Sequence, residues 1–285
     1  MSKRNSLIIG TVLLALVLFG VEWRAEARFR SSASTALYFL DVGQGDATLI
    51  RDGMGRVVLI DGGPGDRVIE GLERRLPAWE RDIDLVILTH LDADHFTGLF
   101  DVIERYHIGE VWWNGATPTT AGGYGIIGAI RAKGVPMKVV KSGERFGFAE
   151  ASMTVIHPDG DLTGAYLTDK NAESVSVRID CGKDVALLAG DVPIGTEEDF
   201  VTEGDIGDIA LLKVSHHGSK HSTSGAFLDA VTPEYAVISS GKGNRYGHPA
   251  SRVLIDLRKR GIETFRTDTA GDIGFVCDGT GFTPS

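Results

Sequence analysis

Thr89-His90-Leu91-Asp92-Ala93-Asp94-His95 packs four metal-capable side chains into six residues. The segment follows Leu85 to Thr89, a short continuous apolar run of the kind that forms a strand buried on both faces. Side chains alternate along an extended chain, so His90, Asp92 and Asp94 are expected to point one way. A turn into the following helix would then swing His95 beside them. The end of a buried strand gives rigid support and an open loop, which is where a reactive site is best built. A solvated acidic loop, with Asp92 and Asp94 capping the next helix, would leave both histidines unexplained.

Outward from this segment the chain alternates between strand and helix patterns. Upstream, Ala36 to Val42, Ala47 to Arg51 and Arg56 to Ile60 read as strands, separated by glycine turns at Gly43, Gly45, Gly53 and Gly55. Downstream, Leu99, Val102, Ile103 and Tyr106 recur on one helical face. Further strands are expected at Glu110 to Trp113, Ser152 to Ile156, Ser174 to Asp180, Val185 to Ala189, Ile209 to Val214, Tyr235 to Ser239 and Gly274 to Cys277. Helices are expected at Gly123 to Lys133, Thr223 to Val231 and Ala250 to Arg260, the last with Pro249 at its first position. No linker splits 36–285, so it reads as one domain of two stacked sheets flanked by helices.

The first 27 residues differ from the rest. Lys3 and Arg4 precede an apolar stretch from Leu7 to Val21, and Ala25-Glu26-Ala27 follows. That order is the pattern of a secretory signal peptide or an N-terminal membrane anchor, with 28–35 as a polar linker. The apolar run is short of the roughly 20 residues of a spanning helix. The expected location is therefore secreted, periplasmic or anchored to the outer face of the cytoplasmic membrane. Cys181 and Cys277, the only cysteines, lie in apolar strand-like runs and read as two buried thiols; export would also permit a disulfide.

The formal charge is −10, and the leader's Lys3, Arg4 and Arg24 against Glu22 and Glu26 leave the remainder near −11. Non-specific nucleic-acid affinity rests on Lys and Arg neutralising phosphates, so such a surface excludes a broad DNA track. The basic run Arg258-Lys259-Arg260 suits a helix C-terminus. Lys213, Lys220, Lys242 and Arg245 fall around His217 and His248, which focuses the expected positive field at one mouth.

His-x-Asp-x-Asp-His resembles the metal motif of the metallo-β-lactamase superfamily, with aspartate in place of the second histidine. Leu59-Ile60-Asp61-Gly62-Gly63, Leu188-Ala189-Gly190-Asp191, Ser215-His216-His217-Gly218-Ser219 and Tyr246-Gly247-His248-Pro249 resemble other segments of that superfamily, in the same order. Asp41-Val42-Gly43-Gln44-Gly45-Asp46 and the run Lys213 to Lys220 resemble the hydrolase domain of ComEC-type DNA-uptake proteins. The resemblance spans 36–285 and implies a four-layer αββα sandwich of the α/β class. It also implies a binuclear metal-dependent hydrolase, most plainly a phosphodiesterase or nuclease working through a metal-bridging hydroxide. The alternatives are a hydrolase of another small ester, lactone or amide, and a non-catalytic DNA-binding accessory of competence.

The resemblance implies two divalent ions, zinc or manganese, since carboxylates and imidazoles suit both. His90 and Asp92 match ligands of the first, Asp94, His95 and His217 ligands of the second, and Asp191 the carboxylate shared between them. Asp61 matches a carboxylate that orients a ligating histidine, and His216 is expected behind its neighbour. No histidine stands at the expected place before Asp191, which leaves His157 and Asn171 as candidates for the third donor to the first ion. His157-Pro158 reads equally as a strand-end turn. Asp94, His248 and Lys213 are the candidate catalytic groups, with Ser219, Lys220 and Asn244 as further contacts for an anionic substrate.

Overall fold

The computed structural model describes residues 3–31, 34–204 and 206–285. Lys3–Ser31 is one helix (α1), which continues four residues into the stretch expected as linker. Its Ile8, Val12, Leu16 and Leu18 side chains are exposed, and its Phe19 and Trp23 rings lie 5.5 and 5.9 Å from that of Trp79. Among the described residues no helix is long and apolar enough to cross a membrane.

The body begins with strands Thr35–Phe39 (β1), Thr48–Asp52 (β2) and Val57–Ile60 (β3), then helix Arg67–Arg75 (α2) and strand Asp82–Leu88 (β4). Ala93–Phe96 (α3) and Leu99–Arg105 (α4) lead to His107–Trp113 (β5), Ala121–Ala132 (α5) and Met137–Val139 (β6). Arg145–Gly147 (β7), Ser152–His157 (β8), Ser176–Cys181 (β9) and Asp184–Leu188 (β10) follow, then Ile194–Glu203 (α6) and Leu211–Lys213 (β11). The chain ends through Gly225–Val231 (α7), Tyr235–Ile238 (β12), Ser251–Lys259 (α8), Glu263–Arg266 (β13), Thr267–Ala270 (α9), Ile273–Cys277 (β14) and Phe282–Pro284 (β15).

Two sheets result, ordered β15-β14-β1-β2-β3-β4-β5-β6 and β13-β12-β11-β10-β9-β8-β7. In each, one end is antiparallel and the other parallel. β3, β4, β5 and β6 run parallel in the first sheet, as do β10, β11, β12 and β13 in the second. The parallel halves carry helical crossovers and are covered on both faces, which is why Val57–Ile60, residues 85–88 and residues 185–188 are continuous apolar runs. In β4, Leu85 and Ile87 join Met153, Val155, Val177 and Leu188 between the sheets. Val86 and Leu88 face the other way, onto Val68, Leu72, Leu99, Val102 and Ile126 of the first helical layer. Leu187, Leu212 and Val214 meet Phe200, Phe227, Val253 and Leu257 of the second helical layer. The four layers are therefore helices, sheet, sheet, helices, as the resemblance implied.

Two expectations are corrected. Cys181 and Cys277 are joined in a disulfide. One ends β9 and the other β14, so the bond ties the two sheets together across the apolar core. Strand-like surroundings bury a thiol pair and a disulfide equally well, so the local pattern could not separate them. Pro249 does not open a helix: the N-cap is Ala250 and α8 starts at Ser251.

Candidate metal centre

The ends of parallel strands converge on one edge of the sandwich. β4 delivers Thr89 and His90, and its neighbour β3 delivers Asp61 in a left-handed conformation (φ 59°). That strained turn aims the Asp61 carboxylate back at the β4 end. Oδ1 accepts the Thr89 N–H at 2.9 Å, and Oδ2 accepts the Thr89 hydroxyl at 2.7 Å. Oδ2 is also 2.7 Å from His95 Nδ1, which fixes the ring and leaves Nε2 facing the cleft.

His95 and Asp94 reach the cleft from α3 rather than from an extended strand. The chain remains extended only to Asp92, the N-cap of α3, which makes no side-chain capping bond. The expectation that Asp94 continues the His90–Asp92 alternation is therefore corrected: a helical turn displaces it toward His217, whose Nε2 is 3.3 Å from Asp94 Oδ2.

The second sheet supplies the opposite wall. After β10, Gly190 (φ 61°) turns the chain sharply; a Cβ there would sit 2.9 Å from the Ser174 Cβ. Asp191 follows, with Oδ2 at 3.3 Å from both His95 Nε2 and His217 Nε2. His216 and His217 both adopt left-handed backbone (φ 52° and 55°), an arrangement that non-glycine residues hold only under tertiary constraint. His217 Nδ1 is bound to the Ser239 carbonyl at 3.1 Å. His216 Nε2 is 3.8 Å from Asp191 Oδ2.

Sequence reasoning missed Asp46 as a member of this group. The buried side chains of Asp46, His95, Asp191 and His217 offer ligand atoms all within 4.8 Å of one another. Asp46 arrives on the Asp41 to Asp46 loop, which lies against α3: a Cβ on Gly45 would fall 2.2 Å from the Asp94 carbonyl oxygen, so only glycine fits. The Lys213 ammonium pairs with Asp46 Oδ2, and Asp46 Oδ1 is 3.3 Å from His217 Nδ1. Lys213 is 3% exposed and does not line the cleft, which corrects its expected part in gripping a substrate. The signal for Asp46 lies in the Asp41 to Asp46 motif, whose last residue had no assigned role.

The other candidates separate cleanly. His157 Nε2 bonds the Ala172 carbonyl at 2.9 Å, and its ring meets that of Phe200 edge-on. Asn171 accepts from Ser174 through its carbonyl. Neither lines the cleft, which is bordered by Gln44, Asp92, Asp94, Asp191, His216, His217, Tyr246 and His248 and holds about 300 Å³. An adjoining cavity of about 380 Å³ shares Gln44, Asp94 and Tyr246 and adds Asn244 and Arg245. Asn244 brackets the His248 loop, accepting its N–H at 3.1 Å and donating to its carbonyl at 2.6 Å. Ser219 is buried and Lys220 exposed.

The electrostatics are those of an acidic nest. Burial alone would lower His95 and His217, but Asp191 overcomes it, aided by Asp61 for His95 and by Asp46 for His217, and raises both well above the usual histidine range. Burial would raise Asp191, but those two imidazoles hold it well below the usual carboxylate range. His248, on the rim, is lowered by partial burial and by the neighbouring histidines. His90 Nε2, His95 Nε2, His217 Nε2 and Asp191 Oδ1 are buried and find no hydrogen-bond partner among the described residues. Buried polar atoms without partners are rare, and here they converge. Imidazole and carboxylate donors in this arrangement fit a divalent metal cation.

Residues 40–242 match the model of the metallo-beta-lactamase superfamily. The chain belongs to that superfamily. Among curated relatives it is 31% identical over 266 residues to competence protein ComA of Neisseria gonorrhoeae, covering 91% of this chain and 35% of that protein. It is 29% identical over 195 residues to ComE operon protein 3 of Bacillus subtilis, covering 68% and 25%. The chain thus spans about a quarter to a third of the relatives it matches. The fold of this superfamily member is shared with the metallo-β-lactamase fold protein YhfI of Bacillus subtilis (TM-score 0.52, 11% identity, 81% and 95% covered). It is shared also with Igni18, a metallo hydrolase from Ignicoccus hospitalis (TM-score 0.54, 15% identity, 85% and 98% covered).

Proposed function

We propose that this superfamily member is a phosphodiesterase that holds two divalent ions, zinc or manganese, and acts outside the cytoplasm. The observation that carries the reading is the convergence of partnerless imidazole nitrogens and acidic oxygens on Asp191. His90, Asp92 and Asp191 would hold the first ion, with His216 opening on the same cleft in the place sought for His157 or Asn171. Asp94, His95, Asp191 and His217 would hold the second. When bound, such ions supply an activated water at neutral pH and offset charge on a phosphoryl group.

The remaining chemistry belongs to the chain. Asp61 fixes His95 through Nδ1, and the Ser239 carbonyl together with the Asp46–Lys213 pair fixes His217. His248 stands at the mouth, lowered from the usual histidine range by partial burial and by the neighbouring histidines, and is placed to exchange a proton with a bound substrate. With Lys213 held on Asp46, Arg245 lines the adjoining cavity as its one cation among the described residues, so a nucleic-acid strand would be gripped through few phosphates. DNA as the substrate draws support from the ComEC-type motifs and from the competence proteins among the relatives. Export draws support from the leader's composition and from the Cys181–Cys277 disulfide, which suits an oxidising compartment.

The test is a salt series of single-stranded DNA cleavage and bis(p-nitrophenyl) phosphate turnover with manganese added. Cleavage of both, with a shallow salt slope, is expected. Turnover of the small diester alone would move the substrate away from nucleic acid, and turnover of neither would end the phosphodiesterase reading.

A further inference from the structure

The two candidate ion positions differ in a side chain that no motif includes. Lys170, on the loop between β8 and β9, places its ammonium on Asp92 Oδ1 and donates to the Leu91 carbonyl at 3.4 Å. The other oxygen of Asp92 lies 3.6 Å from His90 Nε2, a buried nitrogen with no hydrogen-bond partner among the described residues. The lysine is thus fastened at two points to the segment that carries the donors of the first position.

Exposed ion pairs generally contribute little, but this one competes for a ligand atom. Asp92 Oδ1 cannot serve an ammonium and a divalent ion together, and like charges at such separations repel. The Lys213 ammonium, fully buried on Asp46, sits behind the second position and cannot leave. Lys170 retains 28% side-chain exposure, so it can swing into solvent. With Asp46 neutralised by Lys213, the second position keeps Asp94 and the shared Asp191 free of any lysine, whereas Asp92 of the first is held by Lys170.

We infer that Lys170 is a built-in counter-cation of the first position, so that the two ions load unequally, the second position first and tightly, the first only when Lys170 is displaced. The inference rests on the metal-centre reading and concerns metal affinity alone, so it does not depend on the substrate.

The experiment is a titration of metal-stripped full-length protein with Mn²⁺, free ion being followed by electron paramagnetic resonance. Wild type is expected to bind one equivalent tightly and a second about tenfold or more weaker. Lys170→Met is expected to tighten the second equivalent about tenfold or more while leaving the first within about threefold. Lys170→Arg, which keeps the charge, is expected to retain the gap. Two equal equivalents in wild type, or a second equivalent unmoved in Lys170→Met, would overturn the inference and leave the metal centre standing. A wild type that binds no ion would remove the metal centre itself.

Discussion

The two halves of the cleft are built on opposite plans. Around Asp191, His95 and His217 are buried, each ring is held through Nδ1, and Asp46 with Lys213 closes the back. Around Asp92 the carboxylate is one-third exposed and its partner is a loop lysine. The first half is pre-organised by tertiary structure, and the second is assembled from one short segment and a partly exposed loop charge. On the proposed two-ion reading, the halves are distinguished by what neutralises each carboxylate before an ion arrives.

The largest effect should come from removing the residue the halves share. Asp191→Ala is expected to abolish measurable metal-dependent turnover and to lower occupancy of both ions, read by metal analysis of the purified variant. Retained occupancy at one position would show that the carboxylate is not shared. Lys213→Met tests the closed back of the ordered half. It leaves Asp46 buried without its cation, which typically costs about 3–5 kcal/mol, to be read as a fall in the denaturation midpoint. Little change would place Asp46 in contact with water or an ion instead.

Much of this comparison is legible in the amino-acid sequence. His90, Asp92, Asp94 and His95 fall in one short run, and the last four residues of β4, Leu85 to Leu88, show themselves as an uninterrupted apolar stretch because both faces are covered there. Asp191 and His217 stand out because each follows a strand run in a motif. Asp46 shows only as the last residue of the Asp41 to Asp46 motif, since it joins the nest from a loop 49 residues before His95 and through a lysine 167 residues away. Lys170 leaves no signal: one lysine in a polar loop resembles any solvated residue until the fold lays it on Asp92. α6 escapes the periodicity reading because Ile194–Glu203 carries few apolar residues and many charges, whereas α2 is so short that Val68, Ile69 and Leu72 mark its buried face over little more than one turn.

Glu197 tests how firmly the His216-His217 loop is held. It is fully buried in α6, where Oε2 accepts the Thr223 N–H at 2.7 Å and burial pushes its carboxyl up to about 7 from 4.5. A carboxyl raised on folding favours the native state below its unfolded value, and that advantage is lost as pH rises from 4.5 through about 7. Relative to Glu197→Gln, wild type should lose roughly 3 kcal/mol across that window, at about 1.36 kcal/mol per unit. Parallel stability curves for the two proteins would mean that the group stays hydrated.

A smaller effect is expected from Asp61→Asn, which loosens one ring of the ordered half without removing a donor. Loss of such an orienting partner typically costs about 10–100-fold in metal affinity or activity. The tighter Mn²⁺ equivalent should weaken by that amount and the looser one should change less. The reverse pattern would exchange the roles of the two halves.

The account's central claim is that the convergence on Asp191 is a hydrolytic metal centre. The direct measurement is bis(p-nitrophenyl) phosphate turnover by full-length protein, first stripped with chelator and then given Mn²⁺. The account predicts no turnover when stripped, recovery on adding Mn²⁺, and no recovery in Asp191→Ala. Turnover by the stripped protein, or equal recovery in the variant, would contradict it.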